Sequence, residues 1–518
     1  MARLPWYVVV PALVAGAAAL FPVVYLVIRA AEADLASIAR LVFRARTLDL
    51  LRNTLALTAS VLALCTVLAV PLAWLVVRTD IKGRRLITIL ATTPLAIPGF
   101  VMAHALMGLG GYDGLLARLF DVIVPRPSGL AGAAVALALY TFPYLFLNVR
   151  SALLGLDASL EESARSLGLG GGAAFRRVIL PQLWPGLLAG WLVIALYVIG
   201  DFGAVALMRF ETFSLAIYTQ YTAAFNRGFA SWLALILLAL TVVLVLVEWR
   251  LLGGKRYARV GSGVVRPGSR LPLGRYAVPS YLFVTVVIVA SLGLPILTLG
   301  AWLVLAPPGD ALLASVVATF SRTAALAAPA AVVAVLFALP VAVVSARGRF
   351  GTGRILERVV YLGYAVPPLA LALAVVMFAL RYTPTMYQTA PLLVGAYVVS
   401  YLALAIGPIR SGLLQVSPRL EEAARSLGRR RSTAFLTTTL PLITKNLLAA
   451  GALVLMVTMK ELPMTYLLAP TGYSTLATRV FGYTSEGMMA HAAPFAAAIV
   501  LFSSLFVGLV LTYEGRRD

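Results

Sequence analysis

In a chain of 518 residues that is 61% hydrophobic, few residues can do chemistry, and the most informative are two acids set inside apolar runs. Gly200-Asp201-Phe202-Gly203 interrupts one run, and Lys460-Glu461-Leu462-Pro463 interrupts another. A charge at mid-bilayer costs about 2.5–3.5 kcal/mol on insertion scales, and such residues usually face a bundle interior or an aqueous cavity. Both acids come about twenty positions after a proline, Pro181 or Pro441, and at about 1.5 Å per residue they fall in the outer part of a span. Two readings follow. Asp201 and Glu461 face each other near an outer gate or line the path of a cation, or they belong to structural ion pairs, for example Glu461 with Lys460 or Arg209. No other reactive cluster is present. His104 and His491 are the only histidines, each without a second ligand at metal spacing, and read as packing or interface residues. Cys65 stands alone in an apolar run, which excludes a disulfide framework. No G-x-x-x-x-G-K followed by Ser or Thr occurs, since Gly253-Gly254-Lys255 lacks the rest of that loop. The chain itself therefore does not read as an ATPase, and an enzyme embedded in the membrane would lack its clustered nucleophile, base or metal.

A second kind of chemistry is written twice, in polar islands between apolar runs. Leu160 to Gly168 reads LEESARSLG, with Pro181 thirteen residues beyond the glycine; Leu420 to Gly428 reads LEEAARSLG, with Pro441 at the same distance. Each island predicts two short helices joined at a glycine. Ser159 and Glu162 form a capping box in the first copy, while Ser417 as N-cap and Pro418 as first helical residue open the second. Gly168 and Gly428 suit the left-handed turn that closes a helix. Leu160, Ala164 and Leu167, or Leu420, Ala424 and Leu427, share one face and are expected to pack, with Glu161, Glu162 and Arg165, or Glu421, Glu422 and Arg425, pointing elsewhere.

The elements that position these residues are membrane helices. Mean hydropathy is +0.95, far too apolar for a soluble protein. Runs of bilayer length, about 20 residues, fall near 5–29, 53–77, 86–109, 129–149, 186–208, 231–251, 276–305, 320–346, 355–380, 391–409, 446–469 and 492–513. The third and ninth of these are interrupted by Pro94, Pro98 and Gly99 and by Pro367 and Pro368. Such breaks shape a path or merely kink a helix. The first run is too long for the core of a signal peptide and reads as a retained helix. The fold class is thus an all-α polytopic membrane protein of about twelve spans.

The net charge of +22 invites a nucleic-acid reading, but its distribution argues for topology. With the N-terminus in the cytoplasm, loops on that side carry 29 of the 42 Lys and Arg residues while the 20 acids divide evenly. Both islands and both termini then lie inside. Arg40, Arg44 and Arg46 are the exceptions and suggest an interfacial helix outside. The two halves also repeat: Thr54, Pro71, Arg78 and Pro98 match Thr323, Pro340, Arg347 and Pro367 at one offset, and Glu162, Gly168, Pro181 and Asp201 match Glu422, Gly428, Pro441 and Glu461 at another. Six spans per half make two parallel repeats, related by an axis along the membrane normal with a substrate path between them. The organisation read from the chain is a first repeat at 1–252 with its loop at 157–181, a basic linker at 253–275, and a second repeat at 276–518 with its loop at 417–441. The linker reads as a solvated connector touching anionic lipid headgroups.

At the islands the chain resembles the permeases of bacterial ABC-type importers, whose EAA loop reads Glu-Ala-Ala, three residues, Gly, nine residues, then Ile-x-Leu-Pro. Glu162-Ser163-Ala164, Gly168 and Val178-Ile179-Leu180-Pro181 match with Ser163 and Val178 as substitutions; Glu422-Ala423-Ala424, Gly428 and Leu440-Pro441 match with Thr438 where Ile is usual. The resemblance implies a MetI-like architecture and a coupling role for Glu161, Glu162, Ala164, Gly168, Pro181, Glu421, Glu422, Ala424, Gly428 and Pro441. GDFGA at 200–204 and the segment from Lys460 to Phe481 are similar to fused ferric-iron permeases with two such loops. That likeness implies a bacterial inner-membrane subunit working with two ATP-binding cassette subunits, which hold ATP and Mg, and a periplasmic binding protein. No cofactor is expected on this chain, no nucleic acid, and no second permease chain, because both halves are fused. Asp201, Glu461, Tyr466 and Tyr473 supply oxygen atoms suited to a hard trivalent cation. Sister permeases for thiamine, polyamines and phosphonates share the loops, and a gradient-driven secondary transporter is the alternative from another class.

Overall fold

The computed structural model describes residues 5–32, 42, 44–156, 166–168, 170–222, 227–252, 270–348 and 352–514. The sequence expectations for Ser159, Leu160, Glu161, Glu162, Ala164, Arg165, Arg40 and linker residues 253–269 fall outside them. The described residues form helices throughout, with no strand beyond one isolated bridge. In chain order the helices used below are α1 (Trp6–Ala31), α2 (Ala45–Arg78), α3 (Arg84–Thr92), α4 (Gly99–Leu109), α5 (Gly129–Leu154), α6 (Leu180–Gly200), α7 (Gly203–Leu207), α8 (Phe213–Thr222), α9 (Arg227–Leu252), α10 (Ala277–Ile288), α11 (Leu294–Leu305), α12 (Asp310–Arg347), α13 (Thr352–Tyr364), α14 (Pro368–Tyr382), α15 (Ala390–Gln415), α16 (Arg419–Ser426), α17 (Leu440–Met459), α18 (Pro463–Leu468), α19 (Leu476–Ser485) and α20 (Met489–Glu514).

Ten helices are long and apolar enough to cross a membrane, and the number reaches twelve when each of two bent pairs counts as one span. The bent pairs are the third and ninth expected spans. Arg84–Ala96 meets Gly99–Leu109 at 95°, and Ile355–Tyr364 meets Pro368–Tyr382 at 93°. Proline explains both breaks, because Pro98 and Pro367 sit in extended backbone that a helix cannot continue through. The limb before the first break is amphipathic, with Ile87 and Ala91 buried and Arg84, Arg85 and Leu86 exposed, whereas α4 after it is buried almost throughout.

The chain forms two compact units, each drawing on both halves of the sequence. One comprises Met1–Thr47, Ala216–Leu238 and Pro308–Gly482; the other comprises Leu48–Leu215, Ala239–Pro307 and Tyr483–Asp518. In the first, the long α12 packs against α15 and α17, and α1 lies across α12 and α13. Tyr25 of α1 donates to the carbonyl of Met377 at 3.2 Å, and Phe21 meets Phe378 edge-on. Beyond the end of α1, Arg381 grips both oxygens of Glu32 at 2.7 Å and, with Arg29, holds that carboxyl below its usual range. Arg44 stacks over Phe229 in the same unit. In the second unit α5 packs on α6, and α11 packs on α4 and α20.

Helix contacts in lipid rely on small residues that let backbones approach. A Cβ at Gly363 would stand 2.8 Å from the Ala19 Cβ and 2.9 Å from the Ala19 carbonyl oxygen, so α1 and α13 touch backbone to backbone there. Gly395 in α15 has nothing within 4 Å of that position. Gly363→Ala is therefore expected to cost about 1–3 kcal/mol through overpacking, read as a lowered thermal midpoint in detergent, whereas Gly395→Ala leaves the midpoint unchanged or higher.

Candidate functional site

The second polar island is fully described and shows how its sequence folds. Pro418 lies in helical backbone, the helix proper begins one residue later at Arg419, and Ser417 Oγ accepts the Arg419 N–H at 3.4 Å. At the far end Gly428 adopts φ +85°, and the Gly428 and Arg429 N–H groups bond back to Arg425 and Ala424 at 3.0 and 3.1 Å. These are the two reverse bonds of a glycine-closed helix. Gly168 has the same left-handed backbone, φ +81°, and a side chain at either glycine would meet nothing within 4 Å. Each glycine is required for its conformation alone.

Past the glycines both islands pass through a π turn, Phe175–Ile179 and Phe435–Thr439, before α6 and α17 begin. Pro181 and Pro441 explain the matching turns. A proline has no N–H to give, and its ring clashes with the carbonyl four residues back, so the helix widens by one residue just before it.

Which face turns inward differs from expectation. Leu420 and Leu427 are 46% and 84% exposed, and Leu167 is 83% exposed, so the leucines point outward. Glu421, expected outside, turns in: its side chain is 15% exposed and meets Arg347 Nη1 at 2.5 Å, with the buried Thr439 hydroxyl also donating to Oε1. Glu422 remains exposed. The apolar pattern alone misled because Arg347, at the end of α12, offers a charge that draws Glu421 inward, and the leucines are left on the open face. The signal was available, since Arg347 is one of the residues repeated between the halves.

The two acids inside the apolar runs have a shared geometry. Asp201 follows the end of α6, and its Oδ1 accepts the N–H groups of Ala204 and Val205 at 2.9 and 3.2 Å. Glu461 follows α17, is 5% exposed, and accepts the N–H groups of Met464 and Thr465 at 2.7 and 2.9 Å and the Thr465 hydroxyl at 2.6 Å. Each carboxylate thus caps a short helix, α7 or α18, among buried residues just past the end of a candidate span. The first turn of a helix has N–H groups without partners, and its partial positive charge favours an anion. Capping is the role these contacts give the two acids, one that neither the cation-path nor the ion-pair reading of the sequence had included.

A second pair of caps follows. Thr54 Oγ1 accepts the Phe213 N–H at the start of α8 at 3.3 Å, and Thr323 Oγ1 accepts the Leu476 N–H at the start of α19 at 3.0 Å. In one unit Asp201 also meets the proline break of the third span: a Cβ on Gly99 would stand 3.2 Å from Asp201 Oδ2 and 2.8 Å from the Tyr140 ring. In the other unit the hydroxyl of buried Tyr397 lies 2.5 Å from that of Thr465. Tyr466 packs edge-on with Tyr218 and Phe481, and Tyr473 gives its hydroxyl proton to the Arg322 carbonyl at 2.8 Å. His104 Nδ1 lies 2.9 Å from the Thr484 hydroxyl, and His491 stacks near Tyr483. No group of three or more His, Cys, Asp or Glu able to hold a metal occurs among the described residues.

Two outcomes test this geometry. Arg347→Gln removes the charge that pairs with half-buried Glu421 and leaves it the Thr439 hydroxyl, and amide hydrogen exchange over 419–427 should then accelerate about tenfold or more; unchanged exchange would remove the pin. Glu461→Ala strands two buried amides and should lower stability by about 1–3 kcal/mol, whereas Glu461→Gln keeps an acceptor and loses less, as read by thermal midpoint.

The comparisons with known proteins agree with this architecture. A family model described as binding-protein-dependent transport system inner membrane component matches twice, at residues 65–250 and 334–514. The Fe(3+)-transport system permease protein FbpB 2 of Haemophilus influenzae is 32% identical over 517 residues, covering 99% of both chains. The molybdenum transport system permease protein ModB of Escherichia coli K12 is 31% identical over 34% of this chain and 81% of its own length. The sulfate transport system permease protein CysT of Salmonella typhimurium is 32% identical over 34% of this chain and 65% of its own. A polytopic helical membrane protein with two EAA-type loops and two copies of this model, the chain belongs to the family of inner-membrane components of binding-protein-dependent transport systems.

Proposed function

We propose that this chain is the membrane subunit of an ATP-driven importer of ferric iron. The observation that carries the cargo is the extent of the likeness: the iron permease aligns over 99% of both chains, whereas the molybdenum and sulfate permeases align over about a third of this one. Residues 1–252 and 276–518 act as the two permease repeats, joined by the basic linker 253–275, with both termini in the cytoplasm. A periplasmic binding protein delivers the cargo, and two ATP-binding cassette subunits, holding ATP and Mg, hydrolyse the nucleotide.

The two islands couple hydrolysis to the membrane helices. Glu161, Glu162, Ala164, Gly168 and Pro181 form one coupling loop, and Glu421, Glu422, Ala424, Gly428 and Pro441 the other. In this reading the work of the second loop is divided between neighbouring residues. Leu427 and Glu422 meet the ATPase, Glu421 passes the displacement to α12 through Arg347, and Gly428 fixes the angle between the docking helix and the π turn. Such a chain of contacts transmits force only if it is stiff, which is the use of a charged pair here. Asp201, Glu461, Tyr466 and Tyr473 border the cargo path. In it the two carboxylates hold the broken helices in shape, and the ion passes the breaks without being captured by a dedicated cage.

The test is uptake of radiolabelled ferric iron in cells carrying the permease with its ATPase and binding protein. Wild type should take up iron, Asp201→Asn with Glu461→Gln should retain most of it, and replacement of both by Ala should abolish it. Loss with the isosteric pair in an intact, inserted protein would make the carboxylate charge itself part of the path. Transport of molybdate or sulfate instead of iron would overturn the cargo and leave the class. Gly168→Val with Gly428→Val should uncouple hydrolysis from uptake, because a left-handed backbone costs a β-branched residue about 1–2 kcal/mol, while Asn at the same positions should preserve coupling.

A further inference from the structure

Where the described chain resumes after the linker it is strapped to the end of α2. Leu271 donates to the Arg78 carbonyl at 2.9 Å and accepts from Asp80 at 3.2 Å, Leu273 donates to Asp80 Oδ1 at 3.0 Å, and the Lys82 N–H reaches the Tyr281 hydroxyl at 2.9 Å. Beneath this strap, within the same compact unit, lies a cleft of about 770 Å³. Its walls are the last turns of α2 and α5, the π turn of the first coupling loop through Phe175 and Ile179, and the start of α10 through Pro279, Ser280 and Phe283. The lining is apolar and aromatic; Trp74 meets Phe175 edge-on at 5.2 Å, and Tyr276 stands at the strap.

The stretches that form the cleft carry strongly one-sided charge. Lys82, Arg84 and Arg85 follow α2, Arg176 and Arg177 lie on the π turn, and Arg270 and Arg275 lie on the strap, all exposed. Arg275 reaches over the Tyr276 ring and donates to its hydroxyl at 2.8 Å. On those stretches the one acid is Asp80, whose Oδ1 already accepts the Leu273 N–H. An apolar slot within the roughly 300–1,000 Å³ range of ligand sites, with exposed cations on the stretches that flank its lining residues and set in a membrane protein at the end of its spans, has the form of a site for one anionic amphiphile.

We propose that the cleft seats one acyl chain of an anionic phospholipid, with the headgroup held by the basic rim. Exposed Lys and Arg at a membrane surface attract anionic headgroups, and a tyrosine at the same level suits the lipid–water boundary. The cleft shares Phe175 and Ile179 with the π turn, so the bound chain packs against that turn. Neither the family assignment nor the iron reading is needed for this site.

The experiment is native mass spectrometry of the full-length chain released from nanodiscs of equal phosphatidylglycerol and phosphatidylcholine. One phosphatidylglycerol should stay bound in preference to phosphatidylcholine. Removal of rim charge by Lys82→Gln, Arg270→Gln and Arg275→Gln together should weaken that retention about tenfold or more. Ser280→Phe, which fills the slot and leaves the rim intact, should also lose the retained lipid. Added inorganic phosphate should not displace it. Equal retention of the two lipids, undiminished phosphatidylglycerol in both variants, or full displacement by phosphate would overturn the proposal. The rim variant changes exposed side chains only, so it keeps the test valid if Ser280→Phe misfolds.

Discussion

The structure depends on a constraint set by the membrane: where a helix breaks away from water, the exposed N–H groups of the next helix must find acceptors in the chain itself. This chain breaks its helices among buried residues at the ends of two candidate spans, after Gly200 and after Met459, and at each break the next residues provide a carboxylate that folds back onto the new helix. Thr54 and Thr323 do the same at the helices that follow. A charged carboxylate is a stronger acceptor than a hydroxyl and is favoured at a helix N-terminus. That explains why acids persist where the surrounding residues are apolar.

The second polar island obeys a related rule. An ion pair costs desolvation of both partners, so a partly buried one is a poor source of net stability and a good way to fix geometry. Arg347 with Glu421 and the Thr439 hydroxyl fix α16 against the longest helix of its unit. With its acid held inward, the helix presents leucine to the outside. Two exposed leucines beside an exposed glutamate form the kind of apolar patch that marks an interaction surface.

Much of this was legible in the sequence, and the rest was not for physical reasons. The two islands, their glycines, the matched prolines and the ten to twelve spans all follow from local patterns, and the left-handed Gly168 and Gly428 stand where those patterns put them. Local pattern failed where a distant residue decides. The inward turn of Glu421 depends on Arg347, 74 residues earlier. The third and ninth spans show prolines in sequence, but the right-angle bend follows from amphipathic first limbs that hydropathy averages conceal. The caps at Asp201 and Glu461 were not foreseen because hydropathy marks a charge in a span as an anomaly, and the short helices that begin just after them carry too few residues to announce themselves.

The central claim is that the exposed leucines of both loops are the surface through which an ATPase drives the membrane helices. The most direct measurement places a photo-activated phenylalanine analogue at position 167 or 427 and irradiates membranes that contain the permease with its ATP-binding partner. The account predicts adducts to the ATP-binding polypeptide from both positions, changing in yield when ATP is added, and none from the buried position 413. Adducts confined to lipid or to the permease itself, from both positions and with the partner present, would contradict it.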